Sequence, residues 1–90
     1  MQLANVIGRV VATRKEESLV GYTLLVLEVL DPLGRAPQGE RLVAIDTLGA
    51  GVRDVVLVVR GAAARLGLPA PAPVDAAVVG IVDTVTVDVE

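Results

Sequence analysis

Neither cysteine nor histidine occurs in the 90-residue chain. Without cysteine there are no disulfides, no thiolate nucleophile and no cysteine-rich metal site. Without histidine the chain also lacks the commonest general base and the commonest ligand of transition metals. We therefore predict a protein that is not an enzyme and that carries no metal or cofactor.

Aromatic residues and lysine are scarce, since Tyr22 is the single aromatic residue and Lys15 the single lysine. The eight basic residues are scattered from Arg9 to Arg65, and the formal net charge is -3. Proteins that bind single-stranded nucleic acid combine a basic groove with aromatic stacking platforms. The composition therefore argues against nucleic acid as a partner.

Long uninterrupted apolar runs are also missing, although 53% of the residues are hydrophobic and the mean hydropathy is +0.68. A membrane-spanning helix needs about 20 mostly apolar residues in a row, and charges, glycines or prolines interrupt every run here. The N-terminus lacks the charged start and apolar core of a secretory signal, which predicts a cytosolic protein without a membrane partner. A chain this short buries only roughly 60 to 65% of its unfolded surface, so the apolar excess predicts contact between subunits.

Short β-branched and apolar segments predict an all-β domain spanning residues 1–90. Several of these segments are apolar on both faces, which favours a small five-stranded barrel that is closed or nearly closed, because closure removes exposed strand edges. A barrel of five strands is also typical of the OB-fold, so an OB-like β-barrel is expected. The predicted strands are Leu3–Thr13, Tyr22–Leu30, Arg41–Asp46, Val55–Val59 and Val78–Val89. One short helix is expected after the fourth strand, at Ala62–Leu66, followed by a proline-rich segment, Leu68–Val74, that crosses an end of the barrel.

Two aspartates that end or interrupt apolar strand faces, Asp46 and Asp83, are the candidates for acid–base chemistry or for binding a hard cation. An aspartate directly before Thr-Leu-Gly is more typical of a loop cap that accepts backbone N–H bonds. An aspartate in an apolar row is more often paired, and Arg65 is the expected partner of Asp83. We interpret Asp46, Arg65 and Asp83 as structural polar residues.

The glycine loop at Gly49-Ala50-Gly51 resembles a phosphate cradle only superficially. It lacks the Gly-Lys-Ser/Thr ending of a P-loop, and the next segment is a strand, not a helix whose N-terminus would face an anion. Turn geometry is a sufficient explanation for the two glycines.

Eight short motifs occur in order along the chain and together resemble one known family. They are Leu3-Ala4-Asn5-Val6 to Thr13, Lys15-Glu16 with Ser18-Leu19 and Gly21, Leu30-Asp31-Pro32-Leu33-Gly34, Ala44-Ile45-Asp46 with Leu48-Gly49-Ala50-Gly51, Val55-Val56-Leu57, Gly61 with Ala64-Arg65, Pro73-Val74-Asp75-Ala76, and Gly80-Ile81-Val82-Asp83. In this series the chain is similar to the bacterial microcompartment vertex proteins of the EutN/CcmL family.

The resemblance implies a structural protein that assembles as a homopentamer and caps the vertices of a polyhedral microcompartment shell in the cytoplasm, beside hexameric shell proteins. A head-to-tail ring needs two different patches per subunit, and the strands that are apolar on both faces supply candidates. We then expect the loop that contains Thr47, Leu48, Gly49, Ala50 and Gly51 to lie where subunits meet near the ring axis. The alternative is an OB-type module that binds single-stranded nucleic acid.

Overall fold

The computed structural model describes residues 1–88 of the chain. The regular elements within this range are five β-strands and two short 3-10 helices. The strands are β1 (Gln2–Val10), β2 (Thr23–Leu30), β3 (Pro37–Asp46), β4 (Val55–Arg60) and β5 (Ala76–Val82). The 3-10 helices are Glu17–Leu19 and Gly61–Arg65.

The strands close into a barrel in the order β1, β2, β3, β5, β4 and back to β1. Every neighbouring pair is antiparallel except β3 and β5, which run parallel and pair at Ile45 and Ala77. The predicted all-β, five-stranded barrel is therefore confirmed.

The barrel interior is filled by side chains from alternate positions of all five strands, as expected for strands with one inward face. Its fully buried large residues are leucines and valines: Val6, Leu25, Leu27, Val56 and Val58. Ala50 is the member of this core that comes from a loop, the connection between β3 and β4.

A second apolar cluster lies on the outer face where β3 meets β5. Ile45 and Ala77 belong to this cluster, whereas their chain neighbours Ala44, Ala76 and Val78 point into the barrel. The proline-rich segment packs here through Leu68, Ala72 and Val74. The prediction that this segment crosses a barrel end is thus wrong, because its alternate apolar residues cover the outward-facing side chains of the β3–β5 junction.

The register of the sheet shifts near two glycines, Gly8 in β1 and Gly80 in β5. In the β1–β2 pair the shift falls between Val6 and Gly8. In the β4–β5 pair, Leu57 is opposite Gly80 while Val58 is opposite Val78, which leaves Val79 as the extra residue. Such bulges increase local twist and help a short sheet to close.

Strand ends differ from prediction at β3 and β5. A turn follows β2, in which the Gly34 amide donates to the Asp31 carbonyl at 2.9 Å. Pairing then resumes at once, with Pro37 opposite Leu30, so β3 begins four residues before the predicted Arg41.

β5 ends at Val82 because Val82 is already opposite Val55, the first residue of β4. Within residues 1–88 no strand continues alongside it, and the predicted extension to Val89 is wrong through Asp88. Val89 itself lies outside the described residues. The helix after β4 is present as a 3-10 helix, one residue earlier than predicted.

Candidate functional site

The loop from Thr47 to Asp54 spans one end of the barrel between β3 and β4. Ala50 is buried in the barrel core beneath it. Two backbone bonds then tie the far end of the loop to β1: the Arg53 amide donates to the Val6 carbonyl at 2.8 Å, and the Val6 amide donates to the Asp54 carbonyl at 2.9 Å. The loop is therefore held at both ends and in the middle.

Asp46 caps this loop with both oxygens of its carboxylate. The side chain is 4% exposed; Oδ1 accepts from the Leu48 amide at 2.9 Å and Oδ2 from the Ala50 amide at 2.8 Å. The loop cap expected from the sequence is present, because an aspartate readily accepts bonds from amides two and four residues further on.

A second carboxylate occupies the other half of the loop. Asp54 Oδ2 accepts from the Gly51 amide at 2.8 Å, and the Asp54 amide donates back to the Gly51 carbonyl at 3.0 Å. Three loop amides are thus already bonded, and the two carboxylates that hold them disfavour any second anion. The arrangement does not fit a phosphate cradle.

The two loop positions that carry glycine, 49 and 51, differ in whether the backbone needs a glycine there. Gly49 has φ 88°, in the left-handed region where a side chain is strained. Gly51 lies outside that region, and a Cβ built on it would meet only Asp54 Oδ2, at 3.8 Å. Within one subunit, the backbone therefore demands glycine at position 49 but not at position 51.

Apolar side chains of the loop face solvent on the isolated subunit. Leu48 is 50% exposed and Val52 is 56% exposed. Leu48 and Thr47 also line a cavity of about 200 Å³ together with Val79 and Leu68. The five residues singled out by sequence, 47–51, thus form one continuous loop with a buried centre at Ala50 and exposed flanks.

The predicted ion pair between Asp83 and Arg65 is wrong. Arg65 follows the end of β4 that pairs with Ala76, whereas Asp83 follows the opposite end of β5. At roughly 3.3 Å per residue the two ends of this seven-residue strand lie about 20 Å apart. Arg65 Nη1 instead donates to the Val74 carbonyl at 2.9 Å.

Asp46 and Asp83 do not converge either. Ile45 pairs with Ala77 in parallel, so β3 ends at the level of Val78 and Asp83 lies five residues beyond it. Within residues 1–88 there is no group of three or more acidic, histidine or cysteine residues placed to hold a metal ion.

The single aromatic residue is not placed as a stacking platform. Tyr22 is half-buried and packs against the outer apolar cluster, near Leu24 and Leu19. The Lys15 ammonium lies close by and donates to the Tyr22 carbonyl at 3.2 Å. This arrangement does not support the single-strand-binding alternative.

An exposed apolar residue of β3 was not predicted from the sequence. Val43 of β3 is 48% exposed on the outer face, beside half-buried Val26 of β2. The signal was present in the alternation of Arg41, Val43 and Ile45. Periodicity alone did not reveal that neighbouring segments cover Ile45 and leave Val43 open.

No helix among residues 1–88 is long and apolar enough to span a membrane.

Two ion pairs lie on the described surface. Arg41 Nη2 lies 3.2 Å from Glu28 Oε2, and Arg60 Nη1 lies 2.9 Å from Glu40 Oε2. Exposed pairs of this kind contribute about 0 to 1 kcal/mol each.

Comparison with known proteins finds close similarity along almost the whole chain. A family described as "Ethanolamine utilisation protein EutN/carboxysome" matches residues 1–83. The chain is 48% identical over 90 residues to the carboxysome shell vertex protein CcmL of Gloeobacter violaceus, covering 98% of this chain and 88% of the relative. It is 44% identical over 86 residues to the bacterial microcompartment shell vertex protein EutN of Escherichia coli K12, covering 94% of this chain and 90% of the relative.

A solved structure gives the same result in three dimensions. The GrpN pentameric microcompartment shell protein from Rhodospirillum rubrum superposes with a TM-score of 0.83 at 46% identity. The superposition covers 98% of this chain and 99% of that one.

Proposed function

Because the chain belongs to the EutN/CcmL family, we propose that it is a structural shell protein whose homopentamers cap the vertices of a bacterial microcompartment. The observation that carries the proposal is the 48% identity, over nearly the full length, to a protein named as a shell vertex protein. The pentameric relative of matching fold supports the oligomeric state.

The surface of the isolated subunit gives an independent physical reason for assembly. The subunit exposes 5952 Å², whereas a stable monomer of 9.3 kDa is expected to expose about 5000 Å². The excess is on the order of the 800 Å² that each partner buries in a standard interface. Large apolar side chains face solvent on this surface, among them Val43, Leu48 and Val52.

The role at a vertex follows from symmetry. A surface tiled by six-fold units closes only when five-fold units occupy its corners, and a ring forms from a head-to-tail interface whose rotation closes. The proposed partners are accordingly four further copies of this chain and, around the pentamer, hexameric shell proteins. The proposed location is the shell of a microcompartment in the cytoplasm.

Within this proposal the chain acts without catalysis or a cofactor and folds as one domain over residues 1–90. The absence of cysteine and histidine supports a purely structural role. The loop formed by Thr47, Leu48, Gly49, Ala50 and Gly51 is proposed to lie at the subunit contact near the ring axis. Gly51 supports this placement, because the subunit's own backbone gives no reason for a glycine there.

The experiment that tests the vertex role is shell assembly with and without this protein. Hexamer-forming shell proteins from the same source are expressed alone or together with it, and the products are imaged by electron microscopy. We expect closed polyhedral shells only when this protein is present, and sheets, tubes or open shells without it. Closed polyhedra of equal abundance in both samples would contradict the role.

A further inference from the structure

The far half of β5 presents an exposed stripe, here called the β5 surface and formed by Val79, Ile81 and Asp83. Val79, the extra residue of the β5 bulge, is 48% exposed; Ile81, which is opposite Val56, is 43% exposed, and Asp83 follows two residues later. β5 pairs with β3 only at Ala77, so beyond that residue one edge of β5 has no strand paired with it within residues 1–88. Exposed apolar edges of this kind promote pairing with another chain.

The outer face of β3 presents a second stripe, here called the β3 surface and formed by Val26, Val43 and Arg41. Val26 and Val43 are opposite each other in the β2–β3 register, and Arg41 lies two residues before Val43 on the same face. The Arg41 side chain is 68% exposed. Its Nε and Nη2 both contact one oxygen of Glu28, and Nη1 takes no part in that pair.

The two surfaces are too far apart to cover each other within one subunit. The parallel strands pair at Ile45 and Ala77; Val43 lies two residues before that pair and Ile81 four residues after it. Six residues of strand correspond to about 20 Å. The surfaces thus have the separation that a head-to-tail contact requires, since such a contact joins two different patches.

The two surfaces also match in chemistry. Each surface presents apolar side chains with a charged residue at one end, and the two charges are opposite. Asp83 comes after Ile81 on the β5 surface, and Arg41 comes before Val43 on the β3 surface. Asp83 makes no ion pair with any residue of the described chain. A cavity of about 240 Å³ beside Val43, lined also by Leu24 and Pro73, gives room for an incoming apolar side chain.

We propose that the β5 surface of one subunit packs on the β3 surface of the next subunit in the ring. With the two strands antiparallel across the interface, Ile81 lies against Val43 and Asp83 reaches Arg41. This inference rests on the proposed pentamer and names the surfaces that form it. It also accounts for the apolar outer face of β2, part of which the neighbour covers.

Cross-linking in the naturally cysteine-free chain tests the contact. The double variant Val43→Cys/Ile81→Cys is treated with a flexible bis-maleimide and analysed on a denaturing gel. We expect a ladder of two to five linked chains, because each subunit offers one cysteine to each neighbour. Either single-cysteine variant has only one half of the contact and is expected to stay unlinked.

A charge exchange tests the same contact without cysteines. Arg41→Asp and Asp83→Arg are each expected to raise the concentration at which the pentamer dissociates by about tenfold, and the double variant is expected to restore most of that loss. Arg60→Asp is the matched control, because it breaks the Arg60–Glu40 pair elsewhere on the surface. Adding Asp83→Arg to Arg60→Asp is not expected to restore any pentamer stability, because Arg60 lies outside the proposed contact.

The outcomes separate the contact from the pentamer itself. A wild-type chain that is not pentameric overturns both the proposed function and this inference. A pentameric wild type whose double-cysteine variant stays unlinked, or whose single variants cross-link, overturns the inference and leaves the pentamer standing. If the wild type is pentameric and the charge exchange gives no rescue, the inference is likewise overturned and the pentamer stands. The charge exchange gives this result even if the cysteine variants fail to fold.

Discussion

At the scale of single residues, the glycines of the β3–β4 loop separate what one subunit needs from what an assembly needs. Gly49 has a left-handed backbone that disfavours side chains, whereas Gly51 has neither a left-handed φ nor a crowded Cβ position. A glycine that the subunit does not require is explained if a neighbouring subunit approaches its backbone closely.

This contrast predicts different consequences for the two positions. Gly51→Val is expected to leave the far-ultraviolet circular dichroism of the chain unchanged while raising the dissociation constant of the pentamer at least about tenfold, or 1.4 kcal/mol. Gly49→Val is expected to destabilise the subunit by about 1 to 2 kcal/mol through its backbone conformation. Sedimentation velocity and urea unfolding measure the two effects, and a Gly51→Val pentamer as tight as the wild type would contradict the placement of the loop.

The buried carboxylate of Asp46 gives a second prediction at this scale. Asp46→Ala leaves the Leu48 and Ala50 amides without their acceptors, and each unsatisfied buried donor costs about 1 to 3 kcal/mol. Asp46→Asn keeps one acceptor oxygen and is expected to lose roughly half as much.

Urea unfolding at one fixed protein concentration checks this, because the stability of an oligomer depends on concentration. Equal stability of Asp46→Ala and the wild type would show that water replaces the carboxylate without cost, contrary to the burial of Asp46 itself.

Local sequence patterns predicted the Asp46 cap correctly, but they gave Asp83 a wrong ion-pair partner, Arg65. The cap joins residues two and four positions apart, so the sequence contains all the information needed to infer it. The pairing of Asp83 with Arg65 required knowledge of the β4–β5 register, and that register places them at opposite ends of β5. Long-range polar contacts depend on strand alignment, which a short charged motif does not encode.

At the scale of elements, the bond from Arg65 to Val74 links the second 3-10 helix to the end of the proline-rich segment. Leu68 and Ala72, between these two residues, pack on the outer cluster, whereas Pro69, Pro71 and Pro73 are exposed. The arginine and the prolines together limit the freedom of a connection that has no strand or helix of its own.

We therefore predict that Arg65→Ala loosens this segment without opening the barrel. The expected loss of stability is about 1 kcal/mol, the usual net value of one intramolecular hydrogen bond, with Arg65→Lys losing less. Hydrogen exchange measured by mass spectrometry should increase around residues 66–74 and stay unchanged in β1 and β2. An equal increase in exchange throughout the chain, with β1 and β2 included, would contradict this prediction and indicate that the bond supports the whole barrel.

Strand existence was predictable for all five strands, and strand ends were not. β-branched runs such as Val55–Val59 identify a strand whatever its partner. The ends of β3 and β5 are set by where a partner begins or stops, at Leu30 for β3 and at Val55 for β5. The polar start of β3, Pro37 to Glu40, has no hydrophobic pattern at all. Pro37 is opposite Leu30, and the register then shifts before Arg41 pairs with Glu28.

At the scale of the whole molecule, the composition and the exposed surface point to the same property. A chain with 53% hydrophobic residues forms a barrel with a filled core and still leaves apolar side chains on its surface. The loop flanks, the β5 surface and the β3 surface all belong to this exposed set. Burial against identical neighbours explains the excess without a membrane, a ligand or a substrate.

Native mass spectrometry of the intact assembly decides whether the chain forms a closed five-membered ring. Five chains of 9.3 kDa each give about 46.5 kDa, and we expect this species to dominate at micromolar concentration. A monomer or dimer as the main species under those conditions would contradict the account.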